Sequence, residues 1–349
     1  MKTVAVIFGG QSQEHEVSCR SALAVLNNLD RTQYTPVRFG INKEGAWLLY
    51  EGKDEDITNG QWQAQANDQG LGIFAQMCTS GQIDCVFPVL HGPNGEDGTI
   101  QGFFEMLDVP YVGCGVLSSA ASMDKVYTKT IVSTTNVPQC KFVSVRRHDL
   151  VTSKEQIFDE ISTKLGYPCF VKPANAGSSV GISKVDDISG LEEALNTALI
   201  YDSKAIVEEF VKGSEIECAV LGNDNPKASG VGEVVPCNDF YDYDAKYNRG
   251  DDSRISIPAD LDPALANQIR EYAIEVYKAM DCSGLSRIDF FCDKETGNIV
   301  FNELNTLPGF TVISMYAKLW AQDGVSFGEL VSSLIDLAFD RHQSRQRKY

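Results

Sequence analysis

Apolar and polar positions along the first third of the chain follow the pattern of an α/β unit. A compact apolar run at residues 4–8 ends in two glycines, and the stretch VSCRSALAVLNNL after it spaces its apolar residues as a helix does. Further apolar runs predict strands at 34–41 and 85–92, and a helix is predicted at about 99–107. This alternation is typical of a parallel sheet covered by helices. We therefore predict an N-terminal α/β domain of residues 1–118 with an open parallel sheet.

The rest of the chain predicts two further units. Between 119 and 212 the predicted order is strand, helix, strand, loop, strand, helix, strand, which indicates one small α+β domain. From residue 213 to 349, strand patterns flank a polar tyrosine-rich loop, and two amphipathic helices accompany them, which predicts an antiparallel sheet in a C-terminal domain. Residues 51–80 are polar and rich in glycine and glutamine, and we expect them to be an inserted surface segment of weak structure.

Composition excludes several classes of protein. A chain of 349 residues suits two or three domains of about 100–150 residues each. Its 48 acidic and 30 basic residues give a net charge of −18, which repels nucleic acid and anionic lipid, so we expect neither as a partner. The first apolar run is too short for a signal peptide, and no stretch approaches the roughly 20 apolar residues of a membrane span. Ten scattered cysteines without a C-x-x-C pair favour reduced, buried thiols and a cytoplasmic location.

A predicted hairpin in the C-terminal domain carries oxygen ligands for a hard cation. The strands SRIDFFCD and NIVFNELN flank the turn KETG. Because side chains at i and i+2 share one face of a strand, Glu303 and Asn305 point the same way, and a tight turn puts Asp289 about opposite Glu303. Together with Arg287 they form a candidate magnesium site. By itself the pattern also fits the acidic, solvated face of an ordinary hairpin.

Three other segments carry candidate nucleotide and substrate contacts. Lys172 ends a strand before the loop ANAGSSVG, which can offer N–H groups and hydroxyls to phosphate, although it is neither a Walker nor a Rossmann motif. The segment VEEFVKGSE could offer a carboxylate and an apolar wall to a purine, and it also fits an edge strand without a ligand. The loops GGQSQEHEVS and HGPNGEDG follow parallel strands, where open α/β sheets bind ligands, while His91 could also be structural.

The order of these motifs resembles that of one family. The segments FGGxSxEHEVS, HGxxGEDGTIQG, MDK, VKPAxxGSSVGI, YDYxAKY, SRIDFF, NELNTLPGFT and SMY occur in this order between Ala5 and about Trp320. They are similar to those of the D-alanine–D-alanine ligases of the ATP-grasp superfamily. The resemblance implies a two-domain ATP-grasp fold after the N-terminal domain and a homodimer. It also implies that ATP and two Mg²⁺ (or Mn²⁺) ions serve to join two D-alanine molecules through D-alanyl phosphate, for peptidoglycan synthesis.

The resemblance also implies roles for individual residues. The implied nucleotide contacts are Lys125, Lys172, Ser178, Ser179, Glu208, Glu209, Phe210, Val211, Glu215, Phe240, Lys246 and Phe291. The implied metal ligands are Asp289, Glu303 and Asn305. The implied substrate contacts are Glu14, His91, Arg287, Gly309 and Ser314, and the implied catalytic residues are Glu14, Ser178, Tyr247, Arg287 and Gly309. Ala176 departs from the pattern, since some members carry glutamate there.

The implied chemistry accounts for these residue types. Phosphoryl transfer onto a carboxylate gathers negative charge, which requires lysines, metal ions and a dry site. Attack by the second amine then produces an oxyanion, for which Arg287 and the N–H of Gly309 are the implied donors. Water would hydrolyse the acyl phosphate, so we expect a lid, and the long polar loop at 238–252 suits that role.

Three alternatives stay open at this stage. Related ligases join D-alanine to D-lactate, but their lid carries histidine-containing motifs where this chain has YDYxAKY with Tyr247. D-Serine as the second substrate differs by one hydroxyl near Met315 and Tyr316, and such discrimination can be modest. A catalytically silent ATP-grasp module that only binds nucleotide would have no reason to retain Asp289, Glu303, Asn305 and Arg287.

Overall fold

The computed structural model describes residues 1–177, 180–235 and 254–345, which fold around three β-sheets. The first sheet consists of β1 (Lys2–Gly9), β2 (Tyr34–Ile41), β3 (Trp47–Tyr50), β4 (Ala66–Asn67) and β5 (Cys85–Pro88), in the order β4-β3-β2-β1-β5. β1 pairs parallel with β2 and β5, which confirms the predicted parallel core, whereas β3 and β4 extend it in antiparallel. The helices that follow in this part of the chain are α1 (His15–Asn28), α2 (Gly70–Thr79), α3 (Thr99–Met106) and α4 (Val116–Met123).

The second sheet corresponds to the predicted small α+β unit. It consists of β6 (Phe142–Arg146), β7 (Cys169–Pro173), β8 (Ser183–Val185) and β9 (Lys204–Glu209), in the antiparallel order β6-β9-β7-β8. The helices of this region are α5 (Lys125–Val132), α6 (Arg147–Thr152), α7 (Lys154–Lys164) and α8 (Leu191–Tyr201). The apolar side chains of α8 pack against those of β7 and β9. The predicted boundaries of the three domains stay predictions.

The third sheet is antiparallel, as predicted. It consists of β10 (Ser214–Gly222), β11 (Lys227–Val235), β12 (Arg254–Ser256), β13 (Gly284–Asp293) and β14 (Asn298–Asn305), in the order β12-β11-β10-β13-β14. Its helices are α9 (Pro263–Ala279), α10 (Met315–Gln322) and α11 (Phe327–Arg345). β14 begins and ends at the predicted residues, because a glycine turn precedes it and a loop with Pro308 follows it.

The C-terminal helix α11 connects the third sheet to the first. Its apolar face shares one hydrophobic core with α1 and β1. The buried guanidinium of Arg341 donates to the backbone carbonyl of Tyr111 at 3.0 Å and to the hydroxyl of Ser283 at 3.1 Å, and it lies 4.0 Å from the centre of the Tyr111 ring. The C-terminal helix is therefore held against the N-terminal part of the chain by apolar packing and by the buried guanidinium of Arg341.

Residues 51–80 correct one expectation, since they are not the weakly structured surface segment that their composition suggested. Trp62 is 1% exposed, and its ring centre lies 4.9 Å from that of Phe8 in β1. Phe74 of α2 is fully buried against the other face of the sheet. A Cβ atom at Gly40 would lie 2.1 Å from the Trp62 ring, so a glycine there makes room for the indole. Two buried aromatic side chains hold the segment in place although most residues around them are polar.

The cysteines and the helices of the described ranges bear on two expectations from composition. The nine cysteines that lie in the described ranges are all buried and free of disulfides, as predicted. Within the same ranges, no helix has the length and apolarity that crossing a membrane requires.

The role of Trp62 can be tested by substitution. Trp62→Ala should lower the free energy of unfolding by about 3–5 kcal/mol, because it removes buried apolar contacts and leaves a cavity beside Gly40. The measurement is urea unfolding followed by circular dichroism. Gln63→Ala, at the exposed neighbouring position, should change the free energy by less than about 0.5 kcal/mol. A Trp62→Ala variant as stable as the parent would restore the view that this segment contributes little to the fold.

Candidate active site

One cavity of about 720 Å³ lies where loops from all three sheets meet. Nine of the predicted site residues line it: Glu14, His91, Lys125, Lys172, Arg287, Glu303, Asn305, Gly309 and Ser314. Asp289 is fully buried just beneath this lining. The structure therefore gathers the predicted substrate, phosphate and metal positions in one place.

The other predicted residues lie away from the lining or outside the described ranges. Those described but not lining the cavity are Glu208, Glu209, Phe210, Val211, Glu215 and Phe291. Those outside the described residues are Ser178, Ser179, Phe240, Lys246 and Tyr247, together with the predicted lid at 238–252.

Three acidic residues form a row across neighbouring strands of the third sheet. In the backbone register Glu217 of β10 faces Asp289 of β13, and Asp289 faces Glu303 of β14. The second pairing confirms the hairpin register that the sequence predicted. The register then shifts at a bulge, which leaves Asn302 as an extra residue that also lines the cavity.

Arg287 provides the positive charge beside this row. Its Nε donates to Oδ1 of Asp289 at 2.8 Å, and one terminal nitrogen donates to Oδ2 at 2.7 Å. Oε2 of Glu217 lies 3.0 Å from the same Nε, and the side-chain amide of Asn305 donates to Oδ2 of Asp289 at 3.0 Å. Burial disfavours the guanidinium charge, but Asp289 and Glu217 hold the pKa of Arg287 well above its ordinary value.

Glu217 belongs to this cluster although it lies outside the motifs of the sequence. Carboxylate oxygens of Glu215, Glu217 and Asp289 lie within 4.8 Å of one another. The signal was present in the sequence, because Glu217 follows Glu215 by two residues and so shares its strand face. What the sequence did not reveal was that β10 would pair with β13 in this register.

A second ionic cluster holds Lys172 at the edge of the cavity. The buried carboxylate of Glu208 lies 2.6 Å from Nζ of Lys172 and 2.9 Å from Nζ of Lys129. Burial raises the pKa of Glu208, but the two lysines outweigh it and the net pKa is well below the ordinary value. Lys129 itself is 2% exposed and also contacts the thiol of Cys140 at 3.2 Å. The carboxylate of Glu208 is thus engaged with lysines, and the sequence analysis did not select Lys129.

The residues after Glu208 face the surface. The carboxylate of Glu209 accepts the backbone N–H of Lys141 at 2.8 Å. The Phe210 ring is 48% exposed and stacks on Phe170, with 6.2 Å between ring centres and 26° between planes. This exposed aromatic face is compatible with a base-stacking role, which stays a prediction.

Glu14 lies at the meeting point of the first and second sheets. It is 8% exposed and precedes α1, and its backbone N–H donates to the hydroxyl of Ser12 at 3.0 Å. A Cβ atom at Gly92 would lie 2.7 Å from the Glu14 carboxylate, and one at Gly177 would lie 3.3 Å from it. The absence of side chains at these glycines lets both loops approach the carboxylate. The described end of the Gly-Ser loop therefore reaches Glu14.

His91 and Glu96 attach the first sheet to the loop after β14. Nδ1 of His91 donates to the backbone carbonyl of Leu307 at 3.1 Å, which leaves Nε2 to accept from the hydroxyl of Ser21 at 3.0 Å. Glu96 accepts the N–H of Leu307 at 3.1 Å and the N–H of Gly92 at 2.7 Å. Burial lowers the pKa of His91, while burial and the nearby Glu14 raise the pKa of Glu96 to about 8. The backbone N–H and the backbone carbonyl of Leu307 are thus both hydrogen-bonded by side chains of the loop after β5.

The loop held in this way carries Gly309 and Ser314. The Ser314 hydroxyl accepts the N–H of Thr311 at 3.1 Å and lies 2.8 Å from the Thr311 hydroxyl. A Cβ atom at Gly309 would lie 3.3 Å from the Ser314 oxygen, so the two predicted substrate contacts lie side by side. The motif NELNTLPGFT contains Gly309 together with Glu303 and Asn305, and Ser314 begins the next motif, SMY.

Comparison with known proteins identifies what the whole chain is similar to. Residues 3–114 match the family described as D-ala D-ala ligase N-terminus, and residues 131–336 match D-ala D-ala ligase C-terminus. The chain is 52% identical over 368 residues to the D-alanine–D-alanine ligase of Ruminiclostridium cellulolyticum, covering 100% of this chain and 98% of the relative. It is 49% identical over 346 residues to the D-alanine–D-alanine ligase of Clostridium acetobutylicum, covering 98% of this chain and 99% of the relative.

Two solved structures share the fold over nearly the full length. The VanG D-Ala:D-Ser ligase of Enterococcus faecalis superimposes with a TM-score of 0.86 at 40% identity, covering 97% of this chain and 99% of that one. The D-alanine–D-alanine ligase of Coxiella burnetii superimposes with a TM-score of 0.84 at 34% identity, covering 99% of this chain and 97% of that one.

The buried cluster around Glu208 yields a stability prediction. Glu208→Gln should lower the free energy of unfolding by about 3–5 kcal/mol at neutral pH, because it leaves Lys129 and Lys172 without their counter-charge. Because the folded-state pKa of Glu208 is lowered, its contribution is present above about pH 4.3 and declines as the pH falls further. The measurement is urea unfolding between pH 3 and 7. Glu209→Gln, which keeps an acceptor for Lys141, should cost no more than about 1 kcal/mol, and equal effects of both substitutions would contradict the assignment.

Proposed function

The chain belongs to the D-alanine–D-alanine ligase family and ligates two D-alanine molecules with ATP, and we propose that both chemical steps occur in the described cavity. The observation that carries this proposal is the row of acids beside Arg287, in a cavity that also contains Lys172, Glu14 and Ser314. The expected fold class, an open-sheet N-terminal domain followed by an ATP-grasp fold, agrees with the two structural relatives.

In our proposal the hairpin acids hold magnesium ions. Carboxylate and amide oxygens are the donors that hard cations prefer, and the donor set of Asp289, Glu303 and Asn305 fits this requirement. The acidic row brings three carboxylates together, and such a concentration of negative charge favours cations nearby. When bound, such ions neutralise charge that develops on the phosphoryl group during transfer. Mn²⁺ has similar ligand preferences and is a second candidate.

The first step forms the acyl phosphate. The carboxylate of the first D-alanine attacks the γ-phosphorus of ATP, the bond to the bridging oxygen breaks, and ADP leaves with D-alanyl phosphate remaining. We propose that Lys125 and Lys172 contact the phosphates and that Glu14 binds the ammonium group of this D-alanine. The ion pair of Lys172 with Glu208 supports the role, because it holds the lysine in one orientation at the edge of the cavity.

The second step joins the two amino acids. The second D-alanine, whose ammonium must first lose a proton, attacks the carbonyl carbon of the acyl phosphate, and phosphate leaves as the peptide bond forms. Arg287 and the N–H of Gly309 are our candidates for the donors that stabilise the tetrahedral oxyanion. We propose that Ser314 binds the carboxylate of the acceptor, since its hydroxyl lies beside Gly309 in the cavity lining.

The remaining roles extend from the family resemblance. We propose that the loop at 238–252 with Lys246 and Tyr247, together with Ser178 and Ser179, covers the cavity and excludes water. Glu209, Phe210, Val211, Glu215, Phe240 and Phe291 are in this proposal the walls of the nucleotide site. A cytoplasmic location and a homodimer are the corresponding expectations for the whole protein.

D-Serine is the alternative second substrate, because one structural relative is a D-Ala:D-Ser ligase. The relatives of higher sequence identity are D-alanine–D-alanine ligases, and we favour D-alanine on that ground.

The substrate choice is tested by a competition assay. With ATP, Mg²⁺ and equal concentrations of D-alanine, D-serine and D-lactate, D-alanyl-D-alanine should be the main product by mass spectrometry, with one ADP and one phosphate released per product. L-Alanine should give no dipeptide. A mixture dominated by D-alanyl-D-serine or by the ester of D-lactate would overturn the choice of acceptor.

The metal assignment is tested at Glu303. Glu303→Gln should reduce turnover by on the order of 10²–10³-fold, because loss of a metal-binding carboxylate removes several kcal/mol of charge stabilisation in the transition state. The melting temperature should stay within a few degrees of the parent value. Glu295→Gln, in the exposed turn of the same hairpin, is the matched control and should leave turnover unchanged. Near-normal turnover of Glu303→Gln at ordinary magnesium would show that the hairpin acids are a solvated face.

A further inference from the structure

We propose that Glu217 is a positioning residue that keeps Arg287 in place when Asp289 binds a metal ion. The inference rests on the proposed function, in which Asp289 is a metal ligand and Arg287 stabilises the oxyanion. Neither the motifs of the sequence nor the expected metal set includes Glu217. Its role follows from the order of the strands and from the distances around the guanidinium.

Two carboxylates compete for one N–H group of Arg287. Nε donates to Oδ1 of Asp289 at 2.8 Å, while Oε2 of Glu217 lies 3.0 Å from the same nitrogen without the geometry of a hydrogen bond. A single N–H can direct its proton at one acceptor well, so Glu217 occupies the position of an alternative partner. A small rotation of the guanidinium would exchange one carboxylate for the other.

Metal binding would disturb the pair between Arg287 and Asp289. Both oxygens of Asp289 are already engaged, Oδ1 by Nε of Arg287 and Oδ2 by a terminal nitrogen of Arg287 and by the Asn305 amide. A divalent ion on Asp289 would draw on the same lone pairs and would repel the guanidinium charge. Without another carboxylate, Arg287 would then either hold Asp289 back from the metal or lose its fixed orientation.

The order of the strands puts Glu217 where it can replace Asp289 as the partner of Arg287. β13 lies between β10 and β14, so Glu217 and Glu303 flank Asp289 on opposite sides. Neighbouring strands are about 4.8 Å apart, so the backbones of Glu217 and Glu303 are separated by roughly twice that distance. An ion held between Asp289 and the residues of β14 therefore lies on the side away from Glu217, whose Oε2 is already 3.0 Å from Nε of Arg287.

The burial of Glu217 is consistent with this role. The residue is 5% exposed, and a buried carboxylate is costly unless a cation compensates it. Arg287 is the cation at 3.0 Å, and it has its own place in the cavity lining. The next acidic residue of the same sheet, Glu233, faces the opposite direction and pairs with the surface residue Lys294 at 2.8 Å. Glu233 therefore offers a matched control of the same type and burial.

The first experiment compares Glu217→Gln, Glu217→Asp and Glu233→Gln with the parent protein. Glu217→Gln should lower kcat by about 10–100-fold, the range typical for residues that orient a group beside a metal, with KM for ATP and D-alanine within about threefold. Glu217→Asp should recover part of the loss because it restores the charge, and Glu233→Gln should behave as the parent. A kcat of Glu217→Gln within twofold of the parent value would overturn the proposal.

The second experiment asks whether Glu217 acts through Arg287. In an Arg287→Lys background, Glu217→Gln should reduce the rate by less than about twofold, because residues that act as one unit have non-additive effects. Product is collected over hours and measured by mass spectrometry, so that slow rates can be read. Penalties that multiply in the double variant would mean that Glu217 acts independently of Arg287, which contradicts the proposal.

The third measurement counts metal ions directly and does not depend on turnover. Mn²⁺ is titrated into the full-length protein with an ATP analogue that carries an imido group between the β and γ phosphates. Glu217→Gln should bind the same number of ions as the parent, whereas the loss of one ion would identify Glu217 as a ligand and overturn its positioning role.

The variants also show which of the two proposals fails. If Glu303→Gln keeps normal turnover, the proposed metal site is wrong. If Glu303→Gln is inactive while Glu217→Gln has normal turnover, only the positioning role of Glu217 is wrong.

Discussion

The charge of Arg287 lies between two buried carboxylates, and the arrangement of the cavity depends on this pairing. Asp289 and Glu217 can be buried because the guanidinium compensates them, and Arg287 can be held rigidly because both of them contact it. The pairing in turn depends on β13 lying between β10 and β14, since this order brings side chains from three strands onto one face. A change in the register of either strand by one residue would turn these groups to the opposite face of the sheet.

A second compensated cluster holds the other wall of the cavity. Glu208 lies between Lys129 and Lys172. Its carboxylate orients Lys172, which lines the cavity, and Lys129 binds the same carboxylate from the other side. The two clusters follow one physical rule, because a charge can be buried at low cost only when an opposite charge lies beside it. Preorganisation of this kind keeps charged groups in position before substrate arrives.

A few specific hydrogen bonds connect the loops of the first sheet to the C-terminal part of the chain. His91 and Glu96 bind both backbone groups of Leu307, and Arg341 joins the loop at Tyr111 to Ser283. The hydrogen bonds to Leu307 and the one from Arg341 to Tyr111 connect residues more than 200 positions apart in the chain. The bonds to Leu307 hold the loop with Gly309 and Ser314 against the loop after β5, so residues from both ends of the chain line one cavity.

The sequence by itself determined the local pattern and the chemistry it carries. The short turn KETG between two apolar runs predicted both ends of β14 and put Asp289 about opposite Glu303, a pairing that the bulge at Asn302 brings about. The order of eight motifs identified the family and most residues of the cavity lining. Composition misjudged residues 51–80, since two buried aromatic rings outweigh the many polar residues that surround them.

Only the tertiary structure decided which distant side chains would meet. Glu217 and Lys129 lie outside the eight motifs, and Glu96 lies inside one that assigned it no role. Their importance arises from partners supplied by other strands and loops. Local patterns constrain the face on which a side chain lies, but the pairing of β10 with β13 depends on the packing of the whole sheet against its helices. The energy of a buried charge depends on what surrounds it in space, so its partner could be read only from the folded chain.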